Sequence, residues 1–178
     1  MPLNYTIYAP EQPSNSPPRV TKYIIQDDGD RRYLASLCHG LNSEWVEDQL
    51  PDKSQIYIVP SPFGLAVRAF AKMVRYSPDE AELKVLCTPD HARGKGHAKL
   101  LMSTMEDLAR RKEYKTLRIE SVEDAVTFYK GIGYNVVGVD EDSGLIIMRK
   151  DLSPPSAGRR KTRRRHVPNT RRARRRVA

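Results

Sequence analysis

Residues 91–98 read His-Ala-Arg-Gly-Lys-Gly-His-Ala, and they separate a strand-like segment from an amphipathic one that continues to Tyr114. Glycines at 94 and 96 allow the backbone to approach a ligand closely, and the first-turn amides of a helix that begins here have no partner within the helix. With the helix dipole, such amides form a site for a pyrophosphate. The spacing fits neither a Walker A loop nor the G-x-G-x-x-G dinucleotide fingerprint, because the required residues and the third glycine are absent.

The hydrophobic pattern on either side of this loop predicts a mixed α/β domain with one central sheet. We expect strands over residues 20–25, 55–59, 65–76, 80–88, 116–120, 135–139 and 144–149, and helices over residues 31–41, 43–50, 96–114 and 123–130. A Pro-Ser-Pro-Phe-Gly turn at 60–64 joins the second and third strands into a hairpin. The helix after the glycine loop should bury a stripe formed by Ala98, Leu101, Met105 and Leu108.

The strand over 80–88 alternates apolar and polar residues. Strict alternation predicts that one face carries Ala81, Leu83, Val85 and Cys87 and that the other carries Glu80, Glu82, Lys84 and Leu86.

Residues 125–134 read Ala-Val-Thr-Phe-Tyr-Lys-Gly-Ile-Gly-Tyr and form a second motif, about 30 residues after the first. This stretch is similar to the A-x-x-F-Y-x-x-x-G-[F/Y] segment of the GNAT N-acetyltransferase superfamily. Arg93-x-x-Gly96-x-Ala98 resembles the pyrophosphate motif of the same family, [Q/R]-x-x-G-x-[G/A]. The chain departs from the family by one extra residue between Pro89 and Arg93 and by Val122, where many members carry asparagine.

The resemblance implies the GNAT acyl-CoA acyltransferase fold, a mixed central sheet with helices on both faces, with acetyl-CoA as co-substrate. It assigns the diphosphate of coenzyme A to a loop made of Arg93, Gly94, Lys95, Gly96, His97 and Ala98. In the family the fourth and fifth strands splay apart to admit the pantetheine arm. Leu86 and Cys87 should line this opening, and the backbone N–H near Leu86 should donate to the oxyanion.

Two side chains are candidates for catalysis. Tyr129 matches the family tyrosine to which proton donation to the departing thiolate is assigned, and a core aromatic on an amphipathic helix is the alternative interpretation. Glu82 lies where the histone acetyltransferase branch carries a strand glutamate that acts as base, and the neighbouring Glu80 is its competitor. A solvated strand carboxylate is the alternative interpretation of Glu82. His91 and His97 are better explained as a loop residue and a first-turn helix residue than as bases.

The cysteine pattern indicates neither a disulfide framework nor a metal site. Cys38 and Cys87 each lie among apolar residues, so we expect two buried free thiols in a reducing compartment. No cluster has metal-ligand spacing, and no apolar run approaches the ~20 residues of a membrane span. The N-terminus lacks the basic and apolar regions of a secretory signal.

Composition divides the chain into three parts. Residues 1–19 form a proline-rich arm that we expect to be disordered, residues 20–151 the acetyltransferase domain, and residues 152–178 a disordered basic tail. The tail holds eleven Lys and Arg and no acid, and the rest of the chain holds 20 basic and 22 acidic residues, a net charge of −2. Residues 159–176 suit nucleic acid, an acidic protein surface or a nuclear import receptor, or serve only for solubility.

The function predicted from these features is transfer of an acetyl group from acetyl-CoA to a primary amine, with a protein lysine or N-terminal amine as the preferred acceptor. A polyamine or arylalkylamine is the alternative within the class. The alternative outside the class is a catalytically silent GNAT module that the tail attaches to nucleic acid. The tail also predicts a nuclear location.

Overall fold

The computed structural model describes residues 18–38, 43–51, 53–61 and 66–153, which form a seven-stranded mixed sheet with helices on both faces. The strands are β1 (Thr21–Ile24), β2 (Gln55–Pro60), β3 (Val67–Arg75), β4 (Glu80–Cys87), β5 (Thr116–Ser121), β6 (Asn135–Val139) and β7 (Ile146–Asp151). The helices are α1 (Asp28–Ser36), α2 (Ser43–Asp48), α3 (His97–Arg111) and α4 (Val126–Gly131). The strand order is β1-β2-β3-β4-β5-β7-β6, antiparallel throughout except for the parallel pair β4–β5. The predicted fold class and element order are confirmed.

Several expectations fall on residues outside these ranges. The arm predicted over residues 1–19 lies outside them up to residue 17, as do most of the turn at 60–64 and the tail from residue 154 onward. The predicted helix over 31–41 begins earlier, at Asp28, because the Asp27 carboxylate accepts hydrogen bonds from the amides of Gly29 and Asp30 at 2.8 and 3.1 Å. Such a side-chain cap fixes the start of a helix.

Two apolar clusters fill the two faces of the sheet. One lies beneath α3 and α4, and it contains the α3 residues Leu101, Met102, Met105 and Ala109. The other lies beneath α1 and α2 and contains Leu34 and Val46. Residues of β2 and β3 alternate between the clusters, as expected when successive side chains point to opposite faces. The sheet therefore separates two apolar cores, one on each of its faces.

Strict alternation along β4 is wrong. In the register with β3, Met73 pairs with Leu83 and Lys72 with Val85, so Lys84 is an extra residue in a β-bulge. A bulge changes the face to which the following side chains point. Ala81 and Leu83 consequently pack under α3, whereas Val85 and Cys87 pack under α1, and they do not share one face.

The folded unit extends past the predicted domain end at residue 151. Leu152 is buried in the cluster beneath α3, and its amide donates to the Lys115 carbonyl at 2.7 Å. Its own carbonyl accepts from the Arg110 guanidinium at 3.3 Å. Leu152 is thus part of the core rather than of the tail.

The expectation of two free thiols is also wrong, because Cys38 and Cys87 form a disulfide with their Cα atoms 5.7 Å apart. That separation is in the usual range for a disulfide. Sequence spacing could not reveal the bond, since 49 positions separate the two residues and only the bulge turns Cys87 toward α1. The bond joins the chain just after α1 to the end of β4.

Reduction of this disulfide should lower the free energy of unfolding by up to about 4 kcal/mol, because the bond closes a 49-residue loop in the unfolded chain. Denaturant unfolding with and without a reductant measures the loss. The variant Cys38→Ala should show the same loss, and reductant should not lower its stability further. Two titratable thiols in the denatured, unreduced wild-type protein would contradict the bond.

Candidate active site

The parallel pairing of β4 with β5 ends partway along both strands, and the gap beyond it is here called the cleft. The pairing runs from Glu80 opposite Thr116 to Leu83 opposite Ile119 and stops there. Beyond Leu83, β4 pairs only with β3, and the end of β5 pairs only with β7. Leu86 and Cys87, predicted to line such an opening, lie on the β4 side of it, and the Leu86 side chain packs with the cluster under α3. The strands thus separate as the resemblance implied.

The glycine loop that follows β4 presents free backbone donors. Gly94 and Gly96 have φ values of +73° and +79°, and the space beside each Cα is open to 4 Å. Gly96 precedes α3 without a side-chain cap. Within the described ranges, the amides of residues 94–99 have no protein acceptor, and the first helical bond runs from the Leu100 amide to the Gly96 carbonyl. This cradle fits a diphosphate.

Two cations flank the cradle and are folded back on the loop. The Arg93 guanidinium donates to the Thr88 carbonyl at 3.2 Å and forms an ion pair with Asp90 at 3.0 Å. The Lys95 ammonium donates to the His91 carbonyl at 2.9 Å. These contacts rigidify the loop, and both side chains remain at the surface, where they add positive potential to the amides.

His97 is the buried member of the predicted loop. It is only 4% exposed, and neither ring nitrogen has a hydrogen-bond partner among the described residues. Burial lowers the pKa of His97, and the positive charges of Arg68 and Lys95 lower it further. The ring is therefore neutral at pH 7, so the charge that would attract a phosphate comes from Arg93, Lys95 and the amides. Ala98, half-buried in the first turn, completes the predicted set.

Tyr129 lies in the apolar cluster under α3, on α4. Its ring makes edge contacts with Phe128 and Tyr134, with centroids 5.1 and 5.9 Å apart. Burial raises the pKa of the Tyr129 phenol to about 12. The phenol therefore keeps its proton at neutral pH and is able to donate it, but not to act as a base.

The two candidate carboxylates differ in burial and in partner. Glu82 is 2% exposed, which excludes the solvated interpretation, and its Oε2 lies 2.9 Å from the Lys84 ammonium. The Glu80 carboxylate forms an ion pair with Arg149 at 2.8 Å. Glu82 pairs in register with Arg118, one position before the cleft opens.

Sequence reasoning missed Lys84 and Arg118. Arg118 is nearly buried, pairs with Glu120 at 2.6 Å and stacks on the Tyr76 ring at 4.4 Å. A polar residue on a strand is usually solvated, so no signal marked either one. Across the described ranges no group of three or more His, Cys, Asp and Glu is placed to hold a metal ion. None of the helices described there is long and apolar enough to cross a membrane.

Comparison with known proteins agrees with this geometry. Residues 66–148 match the family model of the acetyltransferase (GNAT) domain. No curated protein matches the chain. The solved structure of Tetrahymena GCN5 aligns with 76% of this chain and 98% of its own, at 15% identity and a TM-score of 0.62.

Two further solved structures share the fold. The aminoglycoside 6'-N-acetyltransferase complexed with coenzyme A aligns over 77% of this chain and 98% of its own, at 14% identity and a TM-score of 0.61. The Escherichia coli ribosomal-protein-S18-alanine N-acetyltransferase aligns over 78% and 97%, at 17% identity and 0.57. The TM-scores show a common fold, and identities this low leave the acceptor open.

Gly96→Glu should abolish the rise in melting temperature that acetyl-CoA produces, because it puts an anion where the diphosphate belongs. In the parent, a hundredfold excess over Kd adds about 2.7 kcal/mol of stability. Gly144→Glu is the matched control, since Gly144 also has a positive φ of +70° and open space around it but lies between β6 and β7. If Gly96→Glu retained the parent's shift, this loop would not hold the diphosphate.

Proposed function

Because the chain contains a GNAT acetyltransferase domain, we propose that it transfers the acetyl group of acetyl-CoA to a primary amine of a protein, either a lysine side chain or an N-terminal amine. One arrangement carries the proposal. Strand β4, which carries the buried Glu82, separates from β5 and leads directly into the loop whose amides at residues 94–99 are unpaired.

Acetyl-CoA, the co-substrate of the family, supplies a thioester whose carbonyl carbon the amine attacks. The amides of residues 94–98 and the cations Arg93 and Lys95 hold its diphosphate. The backbone of Leu86 and Cys87 lines the cleft that receives the narrow pantetheine arm. The disulfide at Cys87 fixes this end of β4 against α1.

Three groups of the chain serve the chemistry. Glu82 removes a proton from the acceptor ammonium, since only a free amine is nucleophilic. The backbone N–H near Leu86 stabilises the negative charge that develops on the carbonyl oxygen. Tyr129, protonated at neutral pH, donates a proton to the departing thiolate.

A protein acceptor is favoured by the open face of β4, β5 and β7. On these strands the apolar residues Leu117, Ile119 and Met148 face α3, and charged residues occupy the opposite face. Arg149 and Tyr76 on that face are substantially exposed, and no described helix covers them. A polypeptide is able to lie across such a surface, whereas a small amine needs an enclosed pocket.

We further propose that residues 159–176 direct the protein to the nucleus and bind nucleic acid weakly. Eleven cations within eighteen residues match a phosphate backbone, and ten of them are arginines that lysine acetylation cannot neutralise. A chain ending at Ser153 preserves Leu152 and should lose nuclear accumulation and retention on DNA at low salt. If that chain kept both, the tail would have neither role.

Turnover of acetyl-CoA against a panel of amines tests the main proposal. Lysine peptides and peptides with free N-termini should be acetylated with higher kcat/KM than polyamines or arylalkylamines. Selective turnover of the small amines would replace the protein acceptor. Absence of turnover with every amine, alongside measurable acetyl-CoA binding, would favour a silent module.

Glu82→Gln should lower kcat most at neutral pH and less at high pH, where acceptor amines lose their protons unaided. The expected loss near pH 7 is roughly 10²–10⁴-fold, the contribution usual for a general base. Glu80→Gln, two positions away on the same strand, is the control and should stay near the wild-type rate. A reversed ranking of the two variants would make Glu80 the base.

Tyr129→Phe should leave acetyl-CoA binding intact and lower kcat by ~10–1000-fold, because it removes one hydroxyl from a packed ring. Tyr134→Phe removes a hydroxyl from the adjacent ring of the same cluster and serves as control. A wild-type kcat in Tyr129→Phe would restrict Tyr129 to packing.

A further inference from the structure

The ion pair between Lys84 and Glu82 lies at the mouth of the cleft. The Glu82 side chain is 3% exposed, its Oε2 is 2.9 Å from the Lys84 ammonium, and the Lys84 side chain is 32% exposed. Burial alone favours the neutral form of a carboxyl group, and a cation within about 4–6 Å favours the charged form. The Lys84 ammonium therefore supplies the counter-charge for the buried Glu82 carboxylate.

The bulge determines where this cation lies. Lys84 is the inserted residue of β4, opposite no residue of β3, and it comes directly after Leu83, the last residue paired with β5. Its side chain is thus attached where the two strands part, next to the carboxylate proposed as base. Bulges commonly re-aim side chains beside active sites.

The other charged side chains around Glu82 bind other partners. On β5, Arg118 pairs with Glu120 and stacks on Tyr76. On β3, the Lys72 ammonium donates to the Gln49 carbonyl at the end of α2.

The third neighbouring charge is Glu80, whose carboxylate is held by Arg149 of β7. Among the described residues, Lys84 is the cation at ion-pair distance from Glu82.

We propose that Lys84 is a positioning residue that keeps Glu82 ionised and oriented for proton removal from the acceptor amine. The inference rests on the proposed function, and it adds a role that the family motifs do not contain. Lys84 does not touch the reacting atoms and acts through Glu82. The cation favours the carboxylate, so its removal favours the carboxylic acid and delays the appearance of the base until higher pH.

The test is the pH dependence of kcat/KM in Lys84→Met and Lys84→Arg with one acceptor. In Lys84→Met the low-pH limb of the profile should move to higher pH, so that kcat/KM falls at low pH and recovers at high pH. Lys84→Arg keeps the charge and should follow the wild-type profile. The acceptor's own titration is common to all variants, so a difference between profiles belongs to the protein.

Lys115→Met is the matched control, because Lys115 also forms a 2.9 Å ion pair, with Asp79, but both side chains are exposed and lie just before β5 and β4, away from the cleft. Its acid limb should coincide with that of the wild type. An equal shift in Lys115→Met would show that the shift comes only from the loss of one positive charge. That result would overturn the inference.

A double-mutant cycle tests the ion pair through the melting temperature alone, without acetyl-CoA or acceptor. Lys84→Met should lower the melting temperature of the wild-type protein at neutral pH, because it leaves a buried carboxylate without its counter-charge. The same substitution in Glu82→Gln should change it much less. Equal losses in both backgrounds would mean that the pair is not coupled and would overturn the inference.

The arms separate the two hypotheses. A strong loss of rate in Glu82→Gln together with a wild-type profile in Lys84→Met overturns the role of Lys84 and leaves the proposed function standing. A wild-type rate in Glu82→Gln removes the base, and the role of Lys84 with it, while acetyl transfer remains to be judged by the amine panel. Loss of rate in Glu82→Gln, together with a shifted low-pH limb in Lys84→Met, supports both the proposed function and the role of Lys84.

Discussion

The parallel pairing of β4 with β5 spans only four positions, from Glu80 to Leu83, and the arrangement of the whole site depends on this limit. A buried peptide group needs a hydrogen-bond partner. Beyond Leu83, the edge of β4 that faces away from β3 has no neighbouring strand to supply a hydrogen-bond partner. The cleft is therefore a place where the backbone requires water or a ligand, and the loop after β4 repeats the condition with the unpaired amides of residues 94–99.

The inserted residue at Lys84 divides β4 into two functional halves. Before it, Glu82 faces the charged side of the sheet and Leu83 the core under α3. After it, Val85 and Cys87 face α1, and Leu86 turns to the core under α3. One extra residue thus allows the same strand to carry a buried carboxylate, line a cleft and anchor a disulfide.

Much of the fold could be predicted because its signals are local. Glycines 94 and 96 before an amphipathic helix, and the apolar periods of α3 and β5, each specify an element within a few residues. The burial of Leu101 follows from the same period.

The features that sequence reasoning missed are non-local. Alternation along β4 predicts one face, because a bulge appears only in the register with β3. Cys38 and Cys87 look like separate core thiols, since nothing between them encodes a Cα separation of 5.7 Å. A solvated Glu82 stays open as an alternative in the sequence, because the burial of Glu82 depends on the neighbouring strands. The assignment of catalytic roles to Glu82 and Tyr129 remains a prediction.

The disulfide also determines how the domain would bear a mechanical load. A force applied to the two ends of the chain passes from Cys38 directly to Cys87, because a covalent bond joins them. The enclosed segment, which contains α2, β2, β3 and nearly all of β4, then carries no tension along its own backbone. Stretching the oxidised protein would extend only the chain outside the bond, whereas the reduced protein would also release the segment between the two cysteines, which lie 49 positions apart, as additional contour length.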